Sequence, residues 1–592
     1  MSQFAQRLAA LRAQLAAQKL DGFVIPLTDE HMSEYVGSYA QRLAWLTGFE
    51  GSAGSAVVMA DRAAIFVDGR YTLQVRDQVD GTLYAYESVP ETSTAQWLGE
   101  KAKAGQRIGF DPWLHSRGWV EEARRRLQTQ GAELVAVDQN PIDQIWTDRP
   151  APSKAPLEVH PLVYAGKSAE EKRRDVATWL KSKNADAVVI AALDSLAWLF
   201  NIRGRDVSRT PVALGFAIIH ADASADLYID SAKIDEEVRA HLGADVRLHE
   251  RHNFSAGLKA LASAEKKVVA DPANMVAAIF LHLEGAHIVE ARDPAVLPKA
   301  IKNSVEIAGT QAAHVRDGAA LSRFLHWLSI EAPKGHLDEL TASDHLERMR
   351  RETNQLCDLS FDSISGAGPN GAIVHYRASP ATNRKLELNS LYLIDSGGQY
   401  RDGTTDVTRT IAIGTPSAEM RDRFTRVLKG HIALARAVFP VGTRGSQLDT
   451  LARQFLWEAG LDYAHGTGHG VGSFLSVHEG PQRIATVGSD EPLQAGMILS
   501  DEPGYYKSGA YGIRVENLVL VVPREVAGSE RKMLGFDVLT LAPIDRTLID
   551  VDLLSASERQ WLNAYHARVY ESLSPLVDAP VAAWLKDVTA PL

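Results

Sequence analysis

The first 300 residues of the chain repeat one order of helices and strands, and this repeat constrains the fold more than any other feature. Each half has a helical pattern before its first apolar run, and a tryptophan, Trp45 or Trp198, in a short helical stretch after it. The matching strand-like runs are 22–26, 56–59 and 63–67 in the first half and 187–191, 215–220 and 225–229 in the second. Helices that alternate with strands in this way predict two related α/β domains of about 150 residues each.

Two proline-bearing stretches, residues 140–156 and 293–298, interrupt the pattern. Such stretches are typical of domain boundaries. We therefore predict an N-terminal α/β domain over residues 1–155, a second, related α/β domain over 156–300, and a third domain over 301–592. A chain of 592 residues is in any case too long for a single hydrophobic core.

The third segment, from residue 301, has a different pattern. It opens with a helical pattern over residues 305–330, after which strand-like and helical runs are mixed. The predicted strands cover 390–394, 407–413, 497–500 and 513–522, and the predicted helices cover 418–439, 446–459 and 557–573. This mixture predicts an α+β domain with a mainly antiparallel sheet.

Charge and cysteine content exclude several classes of protein. The net charge is −11 and the basic residues are scattered along the chain, so we predict no nucleic-acid partner. The single cysteine, Cys357, excludes an intrachain disulfide and fits a reducing compartment. No apolar run in the sequence approaches the roughly 20 residues that cross a membrane. We predict a soluble, cytoplasmic protein that does not enter a membrane.

Acidic residues and histidines of the third segment form a candidate catalytic set. Asp395 ends an apolar strand and Asp406 precedes the next one, so the two carboxylates can meet on adjacent strands. This spacing alone is weak, because acids beside glycine-rich turns usually only cap them. Residues 465–472 hold four glycines with His465 and His469, and histidines in such a loop suggest ligands. A phosphate-binding loop is a poor alternative, since no Lys-Ser/Thr follows.

Glu502 and Glu516 complete this set. Glu516 stands within the apolar run 513–522, where an unpaired acid would be costly, so it should meet a metal or an arginine. Two aspartates, one histidine and two glutamates suit paired divalent ions such as Mn²⁺, Co²⁺ or Zn²⁺. Two such ions about 3.5–4 Å apart would polarise a bridging water toward hydroxide. The spacing leaves open whether the five residues converge, and a structural salt-bridge network is the alternative.

Several motifs resemble those of the pita-bread metallopeptidases, the family that includes methionine aminopeptidase and prolidase. The motifs include FEGSAG at 49–54, DGRY at 68–71, LAWLFN at 196–201, GPNGAI at 368–373, LIDSGG at 393–398, GTTDVTRT at 403–410 and DEPGYY at 501–506. Within the family, the chain is most similar to the long, three-domain cytosolic members that remove an N-terminal residue preceding proline. The resemblance implies two creatinase-like α/β domains followed by a pita-bread catalytic domain with a C-terminal extension.

The resemblance implies a metal centre in the third domain. The five ligands of the family fall, without substitution, on Asp395, Asp406, His469, Glu502 and Glu516. They would hold two divalent ions per subunit, Mn²⁺ first, with Co²⁺ or Zn²⁺ as alternatives. A metal-bridging hydroxide is then the nucleophile, and Glu502 is the general base that takes a proton from the bridging water. The expected reaction is hydrolysis of the N-terminal Xaa-Pro peptide bond with release of the first residue.

The same resemblance assigns the substrate contacts. His478 is expected to donate to the peptide carbonyl and to the tetrahedral intermediate, and His375 and His465 are expected around the proline pocket. All three are therefore catalytic candidates that also bind substrate. His469 is expected to border the substrate, and Arg514 is expected beside it in support of a ligand carboxylate. The expected substrates are peptides with proline at the second position.

Two arginines extend the comparison with the family: one matches the family pattern and the other differs from it. The resemblance implies that Arg70, in DGRY, contacts substrate and that the protein is a homodimer, in which Arg70 would reach the active site of the other subunit. Arg377 stands two positions after His375, where the family pattern has a small residue. This difference affects the expected entrance to the substrate pocket.

Four kinds of relative offer alternative functions. An Xaa-Pro dipeptidase (prolidase) has the same ligands, and only pocket depth and the entrance made by the N-terminal domains separate it. Methionine aminopeptidase has this chemistry on a much shorter chain that lacks two preceding α/β domains. Creatine amidinohydrolase and the non-catalytic, peptide-binding pita-bread modules lack the metal set, so the complete set of ligands disfavours them.

Overall fold

The computed structural model describes residues 2–89 and 91–592. Their contacts divide them into two units: the first comprises residues up to Pro161 together with Lys167–Val296, and the second comprises Leu162–Gly166 together with Leu297–Leu592. Both predicted α/β halves lie almost wholly in the first unit, and the predicted third domain lies in the second. The division into three domains at 155/156 and 300/301 stays a prediction.

Two six-stranded sheets of the same topology form the first unit. In each sheet a central strand pairs antiparallel with one neighbour and parallel with the other. The first sheet has the order Ala85–Ser88, Ala63–Val67, Ser55–Met59, Gly22–Pro26, Arg107–Phe110 and Glu133–Ala136. The second has the order Val246–His249, Ala225–Ile229, Gly215–His220, Ala187–Ile190, Lys267–Ala270 and His287–Glu290. The shared order confirms that the two halves are related, as the sequence repeat predicts.

Several helices of the first unit begin at side chains that cap free backbone N–H groups. Ser168 Oγ accepts from the Glu171 N–H over 3.2 Å, and the Glu171 carboxylate accepts from the Ser168 N–H over 2.9 Å, which satisfies two donors at once. The helices are Gln3–Ala17, Arg42–Thr47, Gln74–Gln78, Thr94–Lys101, Arg117–Thr129, Pro141–Ile145, Ala169–Ser182, Leu193–Phe200, Glu236–Leu242, Phe254–Ser263 and Ala277–His282. A short strand pair, Glu158–Val159 with Ile202–Arg203, completes the unit.

Every described strand pairing in the second unit is antiparallel, which confirms the predicted sheet type. The strands, in sheet order, are Leu356–Leu359, Gly398–Tyr400 and Gly403–Thr404; Ile364–Ala367, Ser390–Ser396 and Val407–Ile413; Val438–Pro440, Met533–Val538, Asn517–Arg524, Ile498–Asp501, Gly468–Gly470 and Glu479–Ile484; and Gly504–Lys507 with Tyr511–Arg514. The fold is therefore the expected combination of α/β and α+β parts.

The helices of the second unit frame these sheets. They are Leu162–Ala165, Ser304–Glu331, Glu339–Arg351, Ala418–Ala435, Gly445–Trp457, Ala556–Leu573 and Ala579–Val588, with a short helix at Val296–Ala300. The helix predicted over 418–439 ends at Ala435, because Val438–Pro440 pairs with Met533–Val538 as a strand and Pro440 could not continue a helix. In the described part of the chain, no helix is long and apolar enough to span a bilayer.

The strand predicted over 513–522 is broken in the structure. Tyr511–Arg514 pairs with Gly504–Lys507, whereas Asn517–Arg524 pairs with Ile498–Asp501 in another sheet. The chain therefore crosses from one sheet to the other twice, once through residues 502–503 and once through residues 515–516. Residues 513–522 contain no glycine or proline that would indicate this change of partner in the sequence. Both crossings consist of a glutamate and one further residue, Glu502 with Pro503 and Val515 with Glu516.

Candidate active site

Two neighbouring strands bring the aspartates of the candidate site together. Asp395 lies directly opposite Thr408 in the antiparallel pairing, and Asp406 immediately precedes the second strand. All three side chains are buried. Because alternate residues of an extended chain point to the same face, Asp406 and Thr408 have a common orientation.

The two sheet crossings supply the glutamates. Glu516 Oε2 accepts a hydrogen bond from Thr408 Oγ1 over 2.6 Å, and the Glu516 N–H donates to the Thr408 carbonyl over 3.2 Å. The Glu502 N–H donates to the Thr467 carbonyl over 2.8 Å, and Ser500 Oγ lies 3.3 Å from Glu502 Oε1. The backbone N–H of each glutamate thus bonds to a residue distant in sequence, Thr408 or Thr467, which fixes the point from which the carboxylate extends.

A glycine-rich strand presents His469 to the carboxylates. His469 Nε2 lies 3.4 Å from Asp406 Oδ2 and 3.7 Å from Glu502 Oε1. The Nδ1 atom is 2.9 Å from the Gly470 carbonyl, which assigns a proton to Nδ1 and leaves Nε2 facing the carboxylates. A Cβ added at Gly468 would lie 2.0 Å from the Ser500 carbonyl oxygen. Only glycine permits the close approach that places this histidine.

The cluster carries more negative charge than its neighbours balance. Burial raises the pKa of Asp395 to about 7, and the nearby Asp406 and Glu502 carboxylates contribute to the rise. Burial, and then Asp406, Asp395 and Glu502, raise the pKa of Glu516 well above its ordinary value. Burial opposes a charge on His469, but Asp406 and Glu502 outweigh it and raise the pKa of His469 to about 9. Added positive charge would therefore stabilise the ionised carboxylates.

The residues present fit a divalent metal centre. Asp406, His469 and Glu516 each offer one ligand atom, and these three atoms lie within 4.8 Å of one another. Asp395 Oδ1 is buried, and no hydrogen-bond donor in the described part of the chain reaches it. A buried, uncompensated carboxylate oxygen is costly, and a divalent ion bound by oxygen and imidazole ligands would satisfy it.

Arg514 links the cluster to its surroundings. Its Nη2 donates to Asp395 Oδ2 over 2.7 Å, its Nη1 to the Tyr506 hydroxyl over 2.6 Å, and its Nε to Thr408 Oγ1 over 3.1 Å. The side chain is 2% exposed. Since Thr408 also holds Glu516, one arginine orients two of the acidic side chains, which agrees with the supporting position that the resemblance implies.

The three further histidines lie at different distances from this arrangement. His465 Nδ1 is 4.0 Å from Glu502 Oε2, and its Nε2 is 2.8 Å from the Tyr506 hydroxyl. The rings of His478 and His469 meet edge to face with centroids 4.3 Å apart. His375 is half-buried and follows Val374, whose carbonyl oxygen lies 3.5 Å from Arg514 Nη2. His465 and His478 therefore border the carboxylate cluster, whereas His375 is linked to it through the backbone of Val374.

The two arginines singled out in the sequence have different settings. Arg70 lies in the first unit, where its guanidinium forms a two-point ion pair with Asp68 over 3.0 and 2.7 Å. Its predicted contact with substrate stays a prediction. Arg377 is 58% exposed and pairs with Asp362 over 2.8 Å, two residues from His375.

Thr408 and Tyr506, two residues without a predicted role, also contact the cluster. Thr408 joins Arg514 to Glu516, and Tyr506 joins Arg514 to His465. A signal for Thr408 was present in its spacing, since it stands two residues after Asp406 and so on the same face of the strand. No comparable spacing pointed to Tyr506.

Family models match the chain nearly from end to end. Residues 7–145 and residues 148–306 each match a creatinase/prolidase N-terminal domain. Residues 308–523 match metallopeptidase family M24, and residues 532–592 match the C-terminal region of peptidase M24. The predicted fold class is confirmed: two creatinase-type domains precede a pita-bread catalytic domain with a C-terminal extension.

Individual proteins are similar to the chain over its full length. The probable Xaa-Pro aminopeptidase P of Neosartorya fischeri is 43% identical over 99% of this chain and 92% of its own, and that of Aspergillus niger is 42% identical over 99% and 98%. The X-prolyl aminopeptidase of Caenorhabditis elegans, described as a cytosolic enzyme with a di-nuclear active site, is 35% identical with a TM-score of 0.96 and covers 100% of both chains. The prolidase of Pyrococcus horikoshii is 25% identical with a TM-score of 0.50, and covers 64% of this chain and 100% of its own.

Fold and site together define the class of this protein, which is a metallopeptidase. The identity to relatives over nearly the full length of both chains narrows this class to one family. The chain belongs to metallopeptidase family M24.

Proposed function

We propose that the chain is an Xaa-Pro aminopeptidase, which hydrolyses the peptide bond between an N-terminal residue and a following proline and releases the first residue. The observation that carries the proposal is the set Asp406, His469 and Glu516, of which the two acids are buried, in a chain similar over its full length to proteins named for this activity. A prolidase is the weaker candidate, because the Pyrococcus horikoshii prolidase covers 64% of this chain.

Two divalent ions per subunit are part of this proposal, with Mn²⁺ as the first candidate and Co²⁺ or Zn²⁺ as alternatives. The proposed ligands are Asp395, Asp406, His469, Glu502 and Glu516. Their oxygen-rich donors with one imidazole suit ions of this type. When bound, the ions supply Lewis acidity and lower the pKa of water. The side chains bind and orient the substrate and transfer the protons.

Glu502 is the proposed general base. Its two carboxylate oxygens lie 3.7 Å from His469 Nε2 and 4.0 Å from His465 Nδ1, and its backbone is tied to Thr467. The carboxylate takes a proton from the attacking water and returns it to the proline nitrogen. That nitrogen leaves as a secondary amine and must be protonated as the tetrahedral intermediate collapses.

His478 is the proposed donor to the substrate carbonyl. It lies against His469, and an imidazole N–H there would stabilise the negative charge that develops on the carbonyl oxygen. Both ring nitrogens of His465 already have partners, the Gly466 carbonyl and the Tyr506 hydroxyl, each at 2.8 Å. His465 is therefore proposed to line the wall of the proline pocket, and His375 is proposed as a second substrate contact.

Proline selectivity follows from the chemistry of the residue at the second position. A proline nitrogen in a peptide has no N–H, so a peptidase that relies on this donor loses a contact. The rigid ring has little conformational entropy left to lose, and a preformed pocket benefits from that. A pocket shaped for the ring should therefore reject alanine in its place.

The remaining parts of the proposal rest on resemblance to the family. They are a homodimer, a contact between Arg70 and the substrate peptide, and a cytoplasmic location. The Caenorhabditis elegans relative described as cytosolic supports the last of these.

Two peptides of equal length, one beginning Arg-Pro-Pro and the other Arg-Ala-Ala, test the proposal in the presence of added Mn²⁺. Free arginine should appear from the first peptide and not from the second. Equal rates would replace the proposal with a broad aminopeptidase. Hydrolysis of the dipeptide Arg-Pro with no action on the longer peptides would identify a dipeptidase.

A further inference from the structure

A chain of buried hydrogen bonds leads from the C-terminal helix Ala556–Leu573 toward the candidate metal centre. Arg409 Nη2 donates to the hydroxyl of Tyr565, on this helix, over 3.0 Å and to Asn517 Oδ1 over 2.9 Å. Because Oδ1 of Asn517 is the acceptor there, its Nδ2 faces His431 Nε2, at 3.0 Å. His431 therefore accepts a hydrogen bond at Nε2 and carries a proton on Nδ1.

The far end of this network lies beside both glutamates. His431 Nδ1 is 3.1 Å from the carbonyl oxygen of Asp501. Asp501 and Asn517 are direct partners across two antiparallel strands. Asp501 precedes Glu502 and Asn517 follows Glu516, so the network joins the two residues at which the chain leaves the sheet to present its glutamates.

Arg409 adds a direct contact to this backbone. Its Nη1 donates to the Glu516 carbonyl oxygen over 2.7 Å. Among the described residues, its hydrogen-bond acceptors are carbonyl, amide and hydroxyl oxygens and not carboxylates: Thr408 O, Glu516 O, Pro543 O, Ala542 O, Asn517 Oδ1 and the Tyr565 hydroxyl. The five N–H groups of Arg409 share these six acceptors. Loss of one acceptor would therefore redistribute the remaining hydrogen bonds and let the guanidinium shift.

We infer that Tyr565 and Arg409 are positioning residues of the metal centre, through which the C-terminal region holds the backbone at Glu502 and Glu516. This inference rests on the proposed metal-dependent function. The Tyr565 hydroxyl holds Arg409 from the helix side, Arg409 holds the Glu516 carbonyl, and Asn517 with His431 holds the strand end before Glu502. The C-terminal extension thereby contributes to metal binding although it supplies none of the five proposed ligands.

Removal of the Tyr565 hydroxyl alone distinguishes a positioning role of this residue from a role in packing. The Tyr565 ring stacks on Trp561 with centroids 5.5 Å apart and an angle of 6° between the planes. That stacking remains when only the hydroxyl is removed. Tyr570 lies on the same helix and is partly buried in the same apolar cluster, so Tyr570→Phe is a chemically matched control.

The test measures Mn²⁺ affinity of the metal-free full-length protein by calorimetry and the visible absorption spectrum after Co²⁺ loading. We expect Tyr565→Phe to bind Mn²⁺ roughly tenfold more weakly, in the range known for residues that support metal ligands. Its Co²⁺ spectrum should differ from that of the wild type. Tyr570→Phe should match the wild type in both measurements.

Arg409→Lys is a second variant, which keeps the charge and loses the forked contacts, and it replaces Tyr565→Phe if that protein fails to fold. Wild-type Mn²⁺ affinity and an unchanged Co²⁺ spectrum in the folded variant would overturn the inference and leave the proposed function intact. A wild-type protein that binds no divalent ion would overturn the proposed function itself.

Discussion

Arg514 and Asp395 form a buried ion pair, in which Nη2 of the arginine lies 2.7 Å from Oδ2 of the aspartate. The other oxygen of Asp395 has no hydrogen-bond donor in the described part of the chain. The arginine therefore fixes one edge of the carboxylate and leaves the other edge available to a cation.

Replacement of Arg514 should weaken metal binding. Arg514→Lys keeps the charge but cannot reach Asp395, Tyr506 and Thr408 at once, so we expect Mn²⁺ affinity to fall about 10- to 100-fold. Calorimetric titration of the metal-free protein measures this. The control is Arg524→Lys, at an exposed pair with Asp537. An Arg514→Lys protein with wild-type Mn²⁺ affinity would contradict the role given to this arginine.

Loss of metal, or of one ligand, should abolish hydrolysis. A chelator followed by dialysis should remove activity, and added Mn²⁺ should restore it. Asp406→Ala should remain inactive even with excess Mn²⁺, because the cluster loses one of its three closest ligand atoms. Asp537→Ala, at the protein surface, should behave as the wild type. Full activity of the metal-free protein or of Asp406→Ala would refute the proposed function.

A single methyl group at Gly468 should disturb the site. The new Cβ would lie 2.0 Å from the Ser500 carbonyl oxygen, so the strand that carries His469 must move. A displacement of about 1 Å can reduce turnover about 100-fold, and we expect a loss of at least that order in kcat/KM. At Gly466, in the same loop, the nearest atom would be 3.4 Å away. Gly466→Ala should thus retain activity, and equal rates for the two variants would disprove the steric argument.

The acid stability of the second unit should depend on His566. Burial, and then Arg409 and Arg546, lower its pKa to about 3, while its Nε2 accepts from the Ile544 N–H over 3.1 Å. Below about pH 6.5 the unfolded chain binds a proton that the folded protein does not. The contribution of His566 to stability is thus complete above pH 6.5 and is lost as the pH falls toward 3, at about 1.4 kcal/mol per pH unit.

His566→Gln keeps an acceptor for Ile544 and removes the titration. Urea unfolding at several pH values between about 6 and 4 should show a shallower loss of stability for this variant than for the wild type. His336→Gln, at an exposed position, should follow the wild type. Parallel curves for His566→Gln and the wild type would show that His566 is not the titrating group.

Arg70 should matter for longer peptides. We expect Arg70→Ala to weaken hydrolysis of peptides more than that of dipeptides, and we expect a dimer in sedimentation experiments. Arg62 forms an equivalent two-point pair with its neighbour Asp61, but at an exposed place, so Arg62→Ala is the matched control. Unchanged kinetics for every peptide length would remove the substrate contact, and a monomer would remove the dimer.

Much of the framework could be predicted from sequence because it depends on local patterns. Strands such as Ala63–Val67 and Val407–Ile413 coincide with the predicted strand-like runs, and the repeat of the first 300 residues indicated the two related sheets. The acids could be singled out one by one, since a charge in an apolar run is costly. Their convergence could be expected only from the family resemblance.

The sheet crossings and the supporting contacts could not be predicted in this way. Residues 513–522 form a mainly apolar run without glycine or proline, yet two separate strands arise because their partners lie in different sheets. Contacts such as Arg409 with Tyr565 join residues 156 positions apart. Single-chain periodicity contains no information on such pairs.

The double crossing between sheets has a consequence for how the protein matures. Thr408 and Glu516, which share a hydrogen bond in the cluster, are 108 residues apart in the chain. The cluster therefore exists only after the sheets that carry these residues have assembled, and ions cannot be captured tightly during synthesis of an incomplete chain. The metal content of a preparation would thus gauge the fraction of molecules in which this unit is intact.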